Sequence, residues 1–122
     1  MYTIEFYQKR NGESDVWDFL ETLRMKSHSS KDARIQYKQI ALCIDLLARN
    51  GTQLPNNITK HIQEDIWELR PGSNRVFYFF YKNDKYILLH HFRKKTQKTP
   101  KREIDKARME RDDYILQQEE KS

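Results

Sequence analysis

The sequence has few of the residues that mark disulfide-rich or nucleotide-binding proteins. It contains one cysteine, three glycines and three prolines in 122 residues. A single cysteine excludes an intramolecular disulfide framework, and the chain has no glycine-rich phosphate loop. Cys43 lies between Leu42 and Ile44 in a helical pattern, which predicts a small buried side chain and not a reactive thiol. Neither disulfides nor a P-loop are therefore expected to support the function.

Long apolar runs are also missing. No stretch approaches the roughly 18 uninterrupted apolar residues that a membrane helix needs, and residues 1–5 lack the basic and apolar regions of a signal peptide. We therefore expect a cytoplasmic protein without a membrane contact. Seven Tyr, six Phe and two Trp nevertheless provide large apolar surfaces for a core. Residues 1–122 are accordingly expected to form one domain.

Positive charge is concentrated in one segment. The formal net charge is +5, and residues 93–111 contain nine Lys or Arg against three Asp or Glu. Residues 112–122 contain one basic and four acidic residues, so we interpret them as an acidic tail that is able to move. A local cluster of cations creates a field that attracts phosphates or an acidic partner. The basic segment is therefore expected to bind an anion.

Residue periodicity predicts an α+β fold in the order β-α-α-β-β-β-α. Alternating Tyr2, Ile4 and Phe6 indicate a strand, and two amphipathic segments, beginning after Ser14 and near Lys31, predict a helical hairpin packed on one face of the sheet. Apolar runs joined by short turns predict an antiparallel meander over residues 66–69, 75–81 and 86–92. Thr99-Pro100 should begin a last helix, whose narrow apolar stripe predicts weak docking or burial against a partner.

Two neighbouring histidines lie near the end of the last predicted strand. Because residues two apart share a face of a strand, His90 groups with Tyr86, Leu88 and Phe92, whereas His91 groups with Ile87, Leu89 and Arg93. One histidine should therefore be structural. The other should face the basic segment, where an imidazole would serve as a proton shuttle. The pattern leaves open which histidine has which role.

Turn geometry brings basic residues to one end of the predicted sheet. Arg70 closes the first strand of the meander, Arg75 opens the second, and Lys94 and Lys95 follow the third, so these four residues can converge. Only Glu68 is a nearby carboxylate in the sequence. Arginine side chains match a phosphate bidentately, which favours a phosphate site. The alternative is a basic rim that binds an acidic protein.

The residue types favour a reaction in which the substrate supplies its own nucleophile. No carboxylate pair has a histidine at ligand spacing, so neither a metal nor a cofactor is expected. In RNA, the 2′-hydroxyl can attack the adjacent phosphate, and the enzyme needs only to orient it, shift protons and stabilise negative charge. Lysine, arginine and histidine suit that chemistry. Phe92 could stack on a base, although core packing is the alternative.

Residues 66–108 resemble a known family. The similar segments are Trp67-Glu68-Leu69-Arg70, Asn74-Arg75-Val76-Phe77-Tyr78, Leu88-Leu89-His90 with Phe92, Lys94-Lys95-Thr96-Gln97-Lys98-Thr99-Pro100, and Glu103-Ile104 with Ala107. They resemble the phage-derived Gp49-like branch of HigB toxins, in the RelE/ParE superfamily. The resemblance implies a RelE-like fold and a type II toxin that cleaves messenger RNA in the ribosomal A site. It also implies a HigA-like antitoxin with a helix-turn-helix domain, in a heterotetramer with the toxin.

The resemblance also implies roles for individual residues. Arg75 is similar to the arginine that contacts the scissile phosphate, and Lys95 corresponds to a second phosphate-stabilising cation that Lys94 assists. The general base is open between His90 and His91, because the late tyrosine of RelE toxins has only a distant counterpart, Tyr114. The expected catalytic residues are Arg70, Arg75, His90, His91, Lys94 and Lys95, and the expected RNA-binding residues are Phe92, Arg93 and Lys98.

Two other functions are compatible with the same fold. A ParE-like toxin would inhibit DNA gyrase without catalysis and would not need a phosphate site. A plain phosphate-binding or antitoxin-binding module would use the cations only as an electrostatic footprint. The basic residues that end the predicted strands favour the endoribonuclease over the gyrase inhibitor.

Overall fold

Eight elements of secondary structure form the α+β fold in the computed structural model, which describes residues Met1–Ser122. In chain order they are β1 (Thr3–Phe6), α1 (Asp15–Lys26), α2 (Lys31–Asn50), β2 (Thr59–Gln63), β3 (Ile66–Leu69), β4 (Asn74–Tyr81), β5 (Lys85–Arg93) and α3 (Lys101–Lys121). The predicted fold class is confirmed, and it is consistent with a RelE-like fold. No helix has the length and apolar character needed to cross a membrane.

The sheet contains five strands in the order β1-β5-β4-β3-β2. β1 pairs in parallel with β5, and the other neighbours are antiparallel. The meander therefore has four strands. The predicted meander had three strands and lacked β2. This edge strand has the sequence TKHIQ, in which Ile62 is the only strongly apolar residue, so its hydrophobic pattern is too weak to distinguish it from a loop.

Helices cover both faces of the sheet. α1 and α2 pack on one face, which we call the hairpin face, where the core residues are Val16, Cys43, Leu47, Leu69, Val76, Tyr78, Tyr86 and Leu88. α3 packs on the opposite face, which we call the α3 face, where the core residues are Tyr7, Ile66, Phe77, Phe79, Ile87, Leu89, Ala107 and Tyr114. The predictions of a buried Cys43 and of a helical hairpin on one face are confirmed.

Serine and glycine residues set the ends of the hairpin helices. The Ser30 hydroxyl accepts a hydrogen bond from the Ala33 backbone N–H at 3.1 Å, which caps α2. Ser14 precedes α1 as predicted, but its hydroxyl donates to the Tyr7 carbonyl at 2.8 Å instead of capping the helix. Gly51 ends α2 with a φ of 59°, and a Cβ there would lie 2.9 Å from the Tyr2 ring. Glycine therefore provides both the turn and the close approach to β1.

A β-bulge in β5 changes which side chains share a face. Val76 pairs with His91 and Tyr78 pairs with Leu88, so Leu89 and His90 together lie opposite Phe77. Leu89 and His90 both point to the α3 face, whereas Leu88 packs on the hairpin face. The predicted grouping of His90 with Tyr86 and Leu88, and of His91 with Ile87 and Leu89, is therefore wrong. The two histidines still point to opposite faces of the sheet.

Polar contacts add to the apolar packing of α3 on the sheet. The Tyr7 hydroxyl donates to Asp113 at 2.7 Å, and the Tyr114 hydroxyl donates to Glu5 at 2.8 Å. Arg111 pairs with Glu64, at 3.0 Å, in the turn between β2 and β3. The sequence predicted weak docking of α3 because its apolar stripe is narrow, and hydrophobic periodicity gives no indication of these hydrogen bonds. Residues 112–121 continue the helix to its end at Lys121.

The first turn of α1 is attached to β5 through Asp15. Its carboxylate accepts hydrogen bonds from the His91 ring and, at 2.9 Å, from the His91 backbone N–H. The His91 ring also stacks on Phe19, with ring centroids 3.8 Å apart. Burial would raise the pKa of the Asp15 carboxyl, but the hydrogen bonds from His91 outweigh burial and lower this pKa below its usual value.

We therefore expect Asp15→Asn to reduce stability at neutral pH and to remove part of its acid dependence. A carboxyl with a lowered folded-state pKa stabilises the fold above its unfolded pKa, and this stabilisation is lost as pH falls through the folded pKa. The expected loss at pH 7 is about 1–3 kcal/mol in free energy of unfolding. Urea denaturation at pH 7 and at pH 3 measures it, with the exposed Asp45→Asn as control. Equal losses for Asp15→Asn at both pH values would contradict the assignment.

Candidate functional site

Basic side chains surround one buried carboxylate on the α3 face, where β4 begins and β3 and β5 end. Glu68 of β3 lies opposite Phe77 of β4, which packs in the core of that face. Arg70 lies two residues after Glu68 and Arg75 lies two residues before Phe77, so both share this face. Lys60 of β2 lies opposite Glu68, and Lys94 follows β5. We call these four basic residues, Lys60, Arg70, Arg75 and Lys94, the cation cluster.

Glu68 forms the centre of the cluster. Its side chain is 1% exposed, and its Oε2 lies 3.4 Å from Arg70 Nε and 3.7 Å from Arg75 Nε. Backbone carbonyls also fix the guanidinium groups, since Arg70 donates to the Asn56 carbonyl at 2.9 Å and Arg75 donates to the Gly72 carbonyl at 2.9 Å. The two arginines are therefore held in place by the β3–β4 turn and by the loop before β2.

The positive charge of the cluster exceeds what Glu68 can neutralise. Burial raises the pKa of the Glu68 carboxyl, and this is opposed, in decreasing order, by Arg75, Arg70, Lys94 and Lys60. Burial lowers the pKa of Arg75, and Arg70 lowers it further, whereas Glu68 raises it. Burial likewise lowers the pKa of Lys94, and the neighbouring cations add to that effect. Four cations facing one carboxylate make a site that an anion would stabilise.

Some hydrogen-bonding capacity in the cluster is unused. The buried Nε atoms of Arg70 and Arg75 have no hydrogen-bond partner, and neither does Glu68 Oε1. The Glu68–arginine distances of 3.4 and 3.7 Å exceed the roughly 2.7–2.9 Å of a strong charge-assisted hydrogen bond. Because guanidinium donors are arranged as a planar fork, they suit a phosphate with two oxygens presented side by side.

The remaining residues of the basic segment lie outside this cluster. Lys95 and Lys98 are exposed and form no ion pair. Arg93 points to the hairpin face, where it lines a cavity of about 400 Å³ together with Phe19 and His91. Phe92 is half-buried beside Arg75, and its ring centroid lies 5.2 Å from that of Phe77. The structure thus brings together three of the four predicted cations, Arg70, Arg75 and Lys94.

Neither histidine belongs to the cation cluster. His90 is buried, and its Nδ1 lies 2.6 Å from Glu110 Oε1 while its Nε2 lies 3.0 Å from Glu103 Oε1, so both ring nitrogens are engaged by α3. His91 faces the opposite side of the sheet, against Asp15 and Phe19. His91 shares its cavity with Arg93, the first residue of the basic segment, but neither ring faces the cation cluster.

Sequence patterns did not place Lys60 in the site, and they identified Glu68 only as a neighbouring charge. Lys60 lies in β2, the strand that the apolar pattern did not reveal. The local signal that could have found it is the short polar turn Glu64-Asp65 directly before the apolar run of β3. Glu68 could have been identified as an inward-facing charge from its alternation with Trp67 and Leu69.

Comparison with models of known protein families identifies the family of this chain. The family model described as phage-derived protein Gp49-like (DUF891) matches residues 24–112. The chain belongs to this Gp49-like family. The match extends from the last turn of α1 into α3 and therefore includes the whole cation cluster and both histidines. No curated protein matches the chain.

Gp49-like proteins belong to the RelE/HigB-like toxin group. Membership is therefore consistent with a toxin of a toxin–antitoxin system, and it points to an antitoxin as the partner of this Gp49-like chain. The group generally contains endoribonucleases.

Proposed function

We propose that this Gp49-like protein is a HigB-type toxin that cleaves messenger RNA in the ribosomal A site. The observation that supports this function best is the cation cluster, in which four basic side chains surround one buried carboxylate. A gyrase inhibitor that acts only by binding has no need for arginine donors held in place by a buried carboxylate and by backbone carbonyls. A catalytic site for phosphate chemistry does need such donors, because they stabilise charge that develops in the transition state.

In the proposed reaction, the RNA 2′-oxygen attacks the adjacent phosphorus. The bond from the 2′-oxygen to phosphorus forms, the bond from phosphorus to the 5′-oxygen breaks, and the products are a 2′,3′-cyclic phosphate and a 5′-hydroxyl. The 2′-hydroxyl gives its proton to a solvent water, and the 5′-oxygen takes one from Lys94, which solvent protonates again. Arg75 and Arg70 bind the phosphate oxygens, whose negative charge increases in the transition state.

The lysines and Phe92 complete this proposal. Lys94, whose pKa is lowered by burial, is suited to donate the proton that the 5′-oxygen takes up. Lys95 keeps the role of second phosphate-stabilising cation that the family resemblance implies. Phe92 is assigned to stacking on a base beside the scissile phosphate, and Arg93 and Lys98 to holding RNA outside the cluster.

His90 and His91 are reassigned to positioning roles. His90 links β5 to α3 through two carboxylates, and His91 links β5 to α1 through Asp15. An imidazole that must move protons to and from RNA has to reach the reacting oxygens at hydrogen-bond distance. Both rings instead contact side chains of the helices, so we assign only the donation of a proton to the 5′-oxygen to a protein group, Lys94 of the cation cluster.

The partner in this proposal is a HigA-like antitoxin with a helix-turn-helix domain. The positive segment 93–111 is suited to an acidic antitoxin surface, because complementary potentials accelerate association and favour the correct partner. The same segment would attract the ribosome and its messenger RNA once the antitoxin is removed.

A short pulse of expression followed by mapping of RNA 5′ ends tests the function. We expect growth arrest and new 5′ ends inside translated codons within minutes, and both should require active ribosomes. Lys82→Ala is the matched control, because Lys82 is an exposed lysine in the turn at the opposite end of β4 and β5. DNA damage without mRNA cleavage would instead identify a ParE-like gyrase inhibitor. Salt-sensitive binding without cleavage would identify a binding module.

A further inference from the structure

Lys60 is a member of the cation cluster for which neither the sequence patterns nor the family resemblance gave a role. It lies in the edge strand β2, directly opposite Glu68, and Glu68 lies opposite Phe77. Directly paired residues of neighbouring strands share a face, so Lys60 is on the same side of the sheet as Arg70 and Arg75. The Lys60 side chain is exposed, and it forms no ion pair with any residue. Its charge is therefore available to a ligand on the α3 face.

Lys60 contributes to the electrostatic field of the cluster. It pairs with Glu68 across β2 and β3, and its charge lowers the pKa of both Glu68 and Lys94. In both cases Arg75 and Arg70 act more strongly than Lys60 does. Lys60 thus belongs to the field of the cluster but is further from its centre than the two arginines.

Strand geometry gives the same result. β2 and β4 are separated by β3, and neighbouring strands are about 4.8 Å apart, so the backbones of Lys60 and of β4 are roughly 10 Å apart. A phosphate held by the Arg75 and Arg70 guanidinium groups lies over the start of β4. A lysine two strands away reaches a neighbouring anionic group on the same ligand more readily than it reaches that phosphate.

We propose that Lys60 binds the RNA phosphate adjacent to the scissile phosphate, and that the RNA backbone therefore crosses the sheet from β5 towards β2. This inference rests on the proposed endoribonuclease function. It identifies Lys60 as a substrate-binding residue whose contact is the same before and during the chemical step. Such a contact strengthens binding without accelerating the chemical step.

Single-turnover cleavage on ribosomes programmed with a defined messenger RNA tests this inference in the full-length protein. For Lys60→Ala we expect the half-saturating toxin concentration to rise roughly fivefold to tenfold, with the limiting rate changed less than about twofold. The logarithmic salt dependence of the half-saturating concentration should become shallower by about 0.7, the value for one lost contact to single-stranded nucleic acid. Lys60→Arg should retain the wild-type values, and Lys82→Ala should be indistinguishable from wild type.

The outcomes separate this inference from the proposed function. If wild-type protein cleaves no RNA on ribosomes, the proposed function fails and the Lys60 inference fails with it. If wild-type protein cleaves and Lys60→Ala matches Lys82→Ala, only the Lys60 inference is overturned. A fall in limiting rate at unchanged half-saturation would also overturn it, because Lys60 would then act on the chemical step. A purely structural effect on Glu68 would appear as lost stability in urea with an unchanged salt dependence.

Discussion

Replacing Arg75 with alanine is expected to lower the limiting rate of mRNA cleavage on ribosomes about 10²- to 10³-fold, the usual effect of removing one preorganised donor from an oxyanion site. Arg75 is the cluster member that acts most strongly on Glu68, and two backbone carbonyls, those of Gly72 and Asn74, hold its guanidinium group. The Arg75 guanidinium group is thus held in position before the substrate binds. Growth arrest on expression should disappear together with cleavage.

Arg75→Lys separates charge from geometry. A lysine retains the positive charge but lacks the planar fork that binds two phosphate oxygens at once. We expect this variant to recover only part of the lost rate, while keeping most of the salt-dependent affinity for programmed ribosomes. Wild-type cleavage rates in Arg75→Lys would show that a point charge suffices, and wild-type rates in Arg75→Ala would contradict the assignment of the phosphate site to the cation cluster.

A double variant excludes misfolding as the cause. Arg75→Ala leaves the buried Glu68 carboxylate with less compensation, so the single variant is expected to lose some stability. Glu68→Gln removes that carboxylate charge and should restore the free energy of unfolding in the double variant. Cleavage should remain at the level of Arg75→Ala. Restored stability without restored cleavage would locate the defect in the reaction and not in the fold.

The strongly amphipathic and apolar elements could be predicted from the sequence, because their patterns report burial directly. α2 runs from Lys31 to Asn50 and ends at Gly51, and β3, β4 and β5 agree with the three apolar runs to within a residue or two. β2 could not be predicted in that way. An edge strand with one exposed side and few apolar residues has backbone hydrogen bonds but little hydrophobic periodicity.

The candidate site was predictable where it depended on strand ends and not where it depended on register. Arg70 and Arg75 meet because a four-residue turn joins their strands, which local sequence reveals. The orientation of His90 depends on the bulge opposite Phe77, and no local sequence pattern predicts that bulge. Lys60 joins the cluster only through the pairing of β2 with β3, a long-range contact that depends on the whole sheet.

His90→Ala is expected to cost about 3–5 kcal/mol in free energy of unfolding, because it leaves carboxylates of α3 without their buried partner. Glu110 is itself almost buried, with a side chain 8% exposed, and it lies 2.6 Å from the ring. Both ring nitrogens lie within hydrogen-bond distance of a carboxylate of α3, so the His90 ring links α3 to β5 through two contacts.

The size of the effect should follow the burial of the carboxylate that is changed. Glu110→Gln should destabilise more than Glu103→Gln, since the Glu103 side chain is 19% exposed and its contact with His90 is longer, at 3.0 Å. Urea denaturation measures these differences, and amide hydrogen exchange should show faster exchange in α3 than in α2 for His90→Ala. His28→Ala is the control, because His28 is exposed and lies in the turn between α1 and α2.

The same variant decides between the two roles considered for His90. If His90 positions α3, cleavage by His90→Ala should recover when the fold is stabilised, for example by lowering the temperature, and its pH–rate profile should keep the wild-type shape. If His90 were the general base, the limiting rate would stay 10²-fold or more below that of wild type even where the variant is fully folded, and one limb of the profile would disappear. Because both ring nitrogens already face carboxylates of α3, we expect the first result.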